Sequence, residues 1–163
     1  MSRKLFVYCD ALGVASEAWL WRQVVGLGHL NPTVVCREYR NGGEYPVPED
    51  RIVLLGEQSV RRPKRVSRFL RGVPHGNFFA LDRRDSRALN HHLSTGDGSR
   101  VVLAHYGWNG LGCLPVASRL GIPVVVHFHG LDLSALLRDR LYLSSLRRHL
   151  TSFSAAVVVN QDQ

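Results

Sequence analysis

Residues 100–160 read RVVLAHYGWNGLGCLPVASRLGIPVVVHFHGLDLSALLRDRLYLSSLRRHLTSFSAAVVVN, and this stretch decides the fold. Arg100-Val-Val-Leu-Ala-His105, Pro123-Val-Val-Val-His-Phe128 and Ala155-Ala-Val-Val-Val159 are short, nearly continuous apolar runs. Runs of that length and composition read as strands buried on both faces, as in a parallel sheet. Between the first two, residues 109–120 predict a helix of small residues ending at Gly121, where a glycine just past a helix end is expected. Between the second and third, Leu133 to Leu150 predicts one long helix carrying Arg138, Arg140, Arg147 and Arg148. Strand and helix alternate through short connections, which predicts parallel strands covered by helices on both faces. The fold class is therefore a Rossmann-like doubly wound α/β domain with a mostly parallel sheet.

The same alternation extends backwards. Lys4-Leu-Phe-Val-Tyr-Cys9 predicts a strand that stops at Asp10, followed by a loop through Gly13. Ser16 is a candidate N-cap for a helix that carries Trp19, Leu20, Val24 and Val25 and finishes near Gly26-Leu27-Gly28. Thr33-Val-Val-Cys36 and Arg51-Ile-Val-Leu-Leu55 predict two further strands, separated by a loop containing Asn41-Gly42-Gly43 and Pro46-Val-Pro48. Ser59 to Arg71 is cationic and helical in pattern apart from Pro63, and residues 72–81 read as irregular. Asp82 to Leu93 predicts a helix capped by Asp82 and stopped by Gly96-Asp97-Gly98. No internal repeat or low-complexity tract is present.

The chain has 163 residues, 45% of them hydrophobic, which suits one globular domain with its own core. Three scattered cysteines, Cys9, Cys36 and Cys113, form neither a disulfide framework nor a CxxC pair, so they read as buried thiols in a reducing compartment. No apolar run approaches the ~18 residues of a membrane span, and the first ten residues do not form a signal peptide. With 21 Lys+Arg against 13 Asp+Glu the net charge is +8. Only Lys4 and Lys64 are lysines; the rest are arginines, which suit bidentate phosphate or carboxylate contacts and equally follow from a GC-rich coding sequence. Six cations, Arg61, Arg62, Lys64, Arg65, Arg68 and Arg71, crowd one segment with Val66, Phe69 and Leu70 on one helical face. This is the pattern of a helix lying on an anionic membrane or of a solvated surface helix. Neither an aromatic ladder nor a helix-turn-helix accompanies it, so nucleic acid is not expected as a partner.

In open α/β sheets, ligands bind beyond the carboxyl ends of the strands. The loops there are Asp10–Glu17, His105–Gly110, Gly130–Asp132 after the His127-Phe-His129 text, and Asn160. Their His, Asp, Asn, Trp, Tyr and Gly content suits a polar ligand. The first loop contains only Gly13, so neither GxGxxG nor GxxxxGK[ST] is present and no dinucleotide fingerprint or P-loop is supported. A helix N-terminus at Ser16 would still offer N–H groups to a phosphate. His127 and His129, two apart on a strand, share a face, with His105 on another strand nearby. A zinc site is one reading. The neighbourhood has no cysteine and Asp132 is its only evident carboxylate, so no metal is expected and His127 reads as a packing or hydrogen-bonding histidine. His129, at a strand end beside Gly130 and three residues before Asp132, reads either as a ligand-binding group or as a loop histidine capping the next helix.

The segment VVLAHYGWNGLGCLPVASRLGIPVVVHFHGLDLS resembles the N-terminal domain of the family-four retaining glycosyltransferases of the GT-B fold, whose mark is an fHGxD text after an lgiP strand. The resemblance continues through the helix with Tyr142, Leu146 and Arg147 to the strand Ser154–Asn160. The opening SEAWLWRQVVGLGHLNPTVVCRE is similar to that of a subgroup from exopolysaccharide and lipopolysaccharide assembly, whereas residues 39–99 match nothing firmly. The resemblance implies half of a GT-B fold: residues 1–163 as one N-terminal domain, the donor-binding C-terminal domain with its E-x7-E motif being absent. It implies sugar transfer from a nucleotide-sugar donor to a glycan or lipid-linked acceptor with retention, without a cofactor or required metal. By the same resemblance His129 contacts the donor sugar and Asp132 belongs to the catalytic text. Gly13, Ser16 and Gly130 approach the donor phosphates, and His105, Trp108 and Asn109 face the acceptor. The basic segment would dock a cytoplasmic protein peripherally on the inner membrane face. This sequence departs from the pattern at His127, where relatives have Thr, and at Val14-Ala15, where many carry a glycine pair. A fragment of this kind alone is expected to be inactive. The competing readings are a stand-alone nucleotide- or glycan-binding module without catalysis, and a histidine-based metal hydrolase.

Overall fold

The computed structural model describes residues 3–56, 76–95 and 98–159. Along the chain the strands are β1 (Arg3–Tyr8), β2 (Ala11–Leu12), β3 (Thr33–Cys36), β4 (Glu38–Tyr39), β5 (Ile52–Leu54), β6 (Ser99–His105), β7 (Val124–Phe128) and β8 (Ala155–Val158). Among the described residues the α-helices are α1 (Ala18–Gly26), α2 (Arg83–Ser94), α3 (Gly107–Arg119) and α4 (Arg140–His149). Six strands form one sheet in the order β5-β3-β1-β6-β7-β8, and all its pairings are parallel. Numbered within this sheet alone the order is 3-2-1-4-5-6, that of a doubly wound nucleotide-binding fold. The direction of winding reverses between β1 and β6. A second sheet, β2 with β4, has only two residues per strand.

Period-two alternation splits the sheet into two faces. Leu5, Val7, Cys9, Val34, Cys36 and Leu103 pack with Leu20 and Val24 of α1, and with Trp19, Val101 and Val125 at the margin. Phe6, Tyr8, Val35, Val53, Val102, Ala104, Val124, Val126 and Phe128 pack with side chains of α2, α3 and α4, among them Leu89, Leu93, Leu111, Leu114 and Leu146. Full burial of a Leu, Val or Phe side chain contributes roughly 1.5–3 kcal/mol, so these two layers carry the fold. Burial also pushes the Cys113 thiol up to about 12, and the neighbouring Cys36 thiol, together with burial, holds the Cys9 thiol well above its ordinary value, which suits the expected structural thiols. The last strand, β8, is exposed along its length.

Four boundaries differ from the expectation. Ser16 does not cap a helix: it lies in a 3₁₀ turn, Ala15–Glu17, whose entry residue is Val14, and α1 starts at Ala18 without a side-chain cap. The expected long helix from Leu133 to Leu150 is broken. A 3₁₀ turn spans Ala135–Arg138, then Asp139 adopts extended φ/ψ and accepts from the backbone N–H of Leu141 and Tyr142, capping α4 anew. Helix α3 begins at Gly107, two residues earlier than expected, and tolerates Pro115 in its interior. A proline there cannot donate to the carbonyl of Leu111. The buried Asn77 supplies the missing donor, Nδ2 to the Leu111 oxygen at 2.8 Å. The two-residue strands β2 and β4 were not anticipated. By contrast, Asp82 caps α2 through the N–H of Asp85 at 2.9 Å, as expected. The basic segment with Arg61, Arg62, Lys64, Arg65, Arg68 and Arg71, the Gly96-Asp97 stop and Asn160 lie outside the described residues. Among the described residues no helix is long and apolar enough to cross a membrane.

Candidate active site

The loops after β1, β6 and β7 meet at the carboxyl edge of the sheet, where the winding reverses and the connections leave β1 and β6 on opposite faces. Such divergence opens a crevice between the two strands. The crevice is built largely from residues whose backbone is held by buried polar groups.

Asp132 is fully buried, and both its carboxylate oxygens accept backbone hydrogen bonds. Oδ1 accepts from His129 N at 2.7 Å, and Oδ2 from Gly107 N at 2.7 Å. One side chain thus ties the loop after β7 to the first turn of α3, where a negative charge is favoured by the helix dipole. Burial pushes its carboxyl above the usual range, while the N–H groups of Gly107 and His129 pull it down. Ser134 Oγ donates to the Gly130 carbonyl and closes the turn. Position 107 must be glycine: a Cβ there would run into the Tyr142 hydroxyl and stand 2.8 Å from the Phe128 ring.

Tyr106, between β6 and α3, has φ 70 and ψ 144, a conformation that L residues rarely adopt. Holding a non-glycine residue there costs of order 1–3 kcal/mol and requires surrounding structure to enforce it. The enforcement is visible. Its N–H donates to the His127 carbonyl at 2.9 Å, and its own carbonyl accepts from Asn109 and Gly110 at 3.1 Å. Its hydroxyl donates to Glu17 Oε1 at 2.7 Å, and its ring stacks on Trp108 with centroids 4.4 Å apart and planes 12° apart. Trp108 Nε1 in turn donates to Asp10 Oδ2 at 2.6 Å. Two side-chain bonds therefore span the crevice from the β6 loop to the β1 loop.

On the α1 face three imidazoles converge. His105 and His127 are register partners on adjacent parallel strands, and His129 follows two residues later. His105 Nδ1 lies 3.4 Å from His129 Nε2. The Trp19 ring lies against all three, with centroids 5.4 Å from His105, 6.3 Å from His127 and 4.4 Å from His129. Tyr106 packs on the other flank of His129 at 4.6 Å. Burial, helped by the neighbouring rings, pushes His105 down to about 3 and His129 down to about 4; burial also lowers His127. In each case the shift favours the neutral ring.

The structure therefore brings His105, Trp108, His129, Gly130 and Asp132 to one edge but gives them different surroundings. His129 is half-buried and Gly130 exposed, whereas His105 and Asn109 are buried. Asn109 Nδ2 is engaged by the His105 carbonyl at 2.9 Å. The expectation that His105 and Asn109 face an acceptor directly does not fit this burial; Trp108 is the accessible member of that trio. Asp132, expected in the catalytic text, acts on the backbone. Gly13 has φ +78, and a Cβ there would collide with the Arg40 carbonyl, so its glycine is demanded by the neighbouring chain. Ser16 is exposed on the rim. The sequence places Asp10, Glu17 and Tyr106 in the loops at the ligand-binding edge without giving them a role, and Trp19, inside α1, was missed as a site residue.

A family model described as a glycosyl transferase 4-like domain matches residues 14–163. The chain belongs to this family. Its parallel sheet with helices on both faces is that of half a GT-B fold. No curated protein sequence matches the chain significantly. In this glycosyltransferase 4-like domain the fHGxD text and the strained Tyr106 lie within the matched residues, as does the β1 loop from Val14 onward.

Proposed function

We propose that this domain forms the acceptor side of the cleft of a retaining glycosyltransferase. The enzyme would move a sugar from a nucleotide-sugar donor to a glycan or lipid-linked acceptor in cell-surface polysaccharide synthesis. A second domain would hold the donor nucleotide, and the reaction would draw on no cofactor beyond the donor. The observation that carries the reading is the setting of His129. Its backbone is fixed by Asp132, its ring is sandwiched between Trp19 and Tyr106, and its edge is half-exposed at the switch-point crevice.

A neutral imidazole so placed can hydrogen-bond a sugar hydroxyl without setting a positive charge beside an oxocarbenium-like carbon. Preorganised donors of this kind act most strongly where water is excluded. Asp132 is then a positioning residue, because its oxygens are used by Gly107 and His129. The same carboxylate occupies the first N–H of α3, which leaves the donor phosphates to the exposed rim at Ser16 and Gly130 and to the second domain. Trp108 and Tyr106 present a stacked aromatic pair to the acceptor. The basic segment Arg61, Arg62, Lys64, Arg65, Arg68 and Arg71 would hold the enzyme peripherally on the inner, cytoplasmic membrane face, against anionic lipid.

The test is sugar transfer by the intact gene product, scored as nucleoside diphosphate release over a panel of nucleotide sugars. His129→Ala is expected to lower kcat roughly 10²–10³-fold, as loss of one preorganised donor does elsewhere, with the folded state retained. Turnover near that of the unaltered enzyme would refute the role given to His129.

A further inference from the structure

We infer that His105, His127 and His129 form a binding site for a late first-row divalent cation of the zinc class, with three imidazole ligands and an open fourth position. Counted along the chain, the ligands look insufficient: two histidines, no cysteine and one carboxylate that is used elsewhere. The sheet supplies the third. Because β6 and β7 pair in register at His105 and His127, their side chains leave the same face, and His129 returns to that face one period later.

One ring nitrogen from each histidine lies within 4.8 Å of the other two. The shortest pair, His105 Nδ1 and His129 Nε2 at 3.4 Å, already has the separation of two ligands on a tetrahedral ion. With Zn–N bonds of about 2.0–2.1 Å, that edge is roughly 3.4 Å. Small ring rotations would bring in the third nitrogen. The cluster is also short of partners. Among the described residues, His127 Nδ1 is buried without a hydrogen-bond partner, and His105, whose Nδ1 faces the cluster, is fully shielded from solvent. An unpartnered buried polar atom ordinarily costs about 1–3 kcal/mol, so a packing role alone explains this arrangement poorly.

Two further features suit a cation. The charged groups acting on the adjoining Tyr106 are the acids Glu17, Asp132 and Asp10. His127 and His129 are only half-buried, so an ion has an approach. The Trp19 ring, lying against all three imidazoles, shields one side of the site and supplies an optical probe of it.

The inference does not rest on the glycosyltransferase reading, because it is tested on the chain without any sugar substrate; an ion on the His129 ring would set positive charge beside the reacting carbon, so it is a competitor of the proposed transfer and no part of it. The chain is stripped with chelator and titrated with Co²⁺, then with Zn²⁺. The expected result is one ion per chain, intense visible absorption from tetrahedral Co²⁺, quenching of tryptophan fluorescence, and displacement by Zn²⁺. His105→Ala removes a fully buried ring and can fail through misfolding, so His127→Gln and His129→Gln carry the test, with circular dichroism confirming the fold. Each is expected to weaken Zn²⁺ binding at least about a hundredfold, more than loss of a supporting group around a metal costs. The double variant His91→Asn, His92→Asn removes the adjacent pair on α2 and is expected to leave binding unchanged. Saturable binding that survives His127→Gln and His129→Gln, binding abolished by the α2 variant, a weak octahedral Co²⁺ spectrum, or no saturable binding would each overturn the assignment.

Discussion

The loop after β7 and the loop after β1 frame the same crevice, yet they are held by opposite means. The β7 loop is tied from within. The buried Asp132 gathers the N–H groups of His129 and Gly107, and Ser134 closes onto Gly130. The β1 loop is tied from outside. Ala11–Leu12 pairs with Glu38–Tyr39, the Asp10 carbonyl accepts from Arg37 and Glu38, and Asn41 Nδ2 donates to the Gly13 carbonyl. The solvent-facing side chains of Asp10 and Glu17 then reach across to Trp108 and Tyr106. Bonds made in a dry interior are worth more, and cost more to lose, than bonds that water can replace. The β7 loop is therefore the more firmly held jaw of the crevice, and the β1 loop the one whose bonds across it water can replace.

The largest expected effect follows from breaking the inner tie. Asp132→Ala leaves two backbone donors without their charged acceptor. At about 1.5–3 kcal/mol for each such bond, unfolding by urea should show a loss of about 3–6 kcal/mol. Amide hydrogen exchange at His129 and Gly107 should rise well beyond the global change. Asp132→Asn keeps the shape and one acceptor and should fall between. An Asp132→Ala protein as stable as the parent would show that the β7 loop does not depend on this carboxylate.

Next comes the outer tie. Gly13→Ala places a methyl group on the Arg40 carbonyl in a left-handed backbone, so the loop must move away from β4. The backbone conformation costs about 1–2 kcal/mol and the overlap a further 1–3. A loss of about 2–4 kcal/mol in urea unfolding is expected, with exchange rising at Arg40, whose N–H donates to the Leu12 carbonyl. No loss would mean that the β2–β4 pairing is dispensable.

These contrasts also explain what could be read without coordinates. The parallel sheet was legible because each central strand is an apolar run bounded by a polar residue, and the edge chemistry followed from where those runs stop. His129 was singled out correctly as lying at the edge. What escaped depends on two-body geometry. Strands of two residues, such as Ala11–Leu12, have no periodic signature. Trp19 reads as one more apolar position of an amphipathic helix until α1 is seen laid across the histidines. Asp139 splits an apolar helical pattern by capping the second half, a local competition that periodicity averages away. Tyr106 takes a glycine-like backbone conformation that residue type argues against, because contacts distant in sequence impose it. Gly13 reads from the sequence only as a glycine near the donor phosphates, whereas its positive φ and the Arg40 carbonyl oxygen are what demand the bare Cα.

The smallest effect separates the two jaws most sharply. The Tyr106–Glu17 bond is partly exposed, so water can satisfy either partner when it breaks. Glu17→Ala removes the acceptor, and Tyr106→Phe removes the donor while retaining the ring and its stack on Trp108; each should cost only about 0.5–1 kcal/mol. Because both substitutions remove the same bond, the double variant should cost no more than the larger single one, giving a coupling of about 0.5–1 kcal/mol in a double-mutant cycle. Strictly additive losses would mean that the two groups act separately and that the crevice is not bridged in solution. Coupling on this small scale is what a cleft must have if its β1 side is to open and close over a ligand, since the segments that move are drawn from the weakly held parts of a fold.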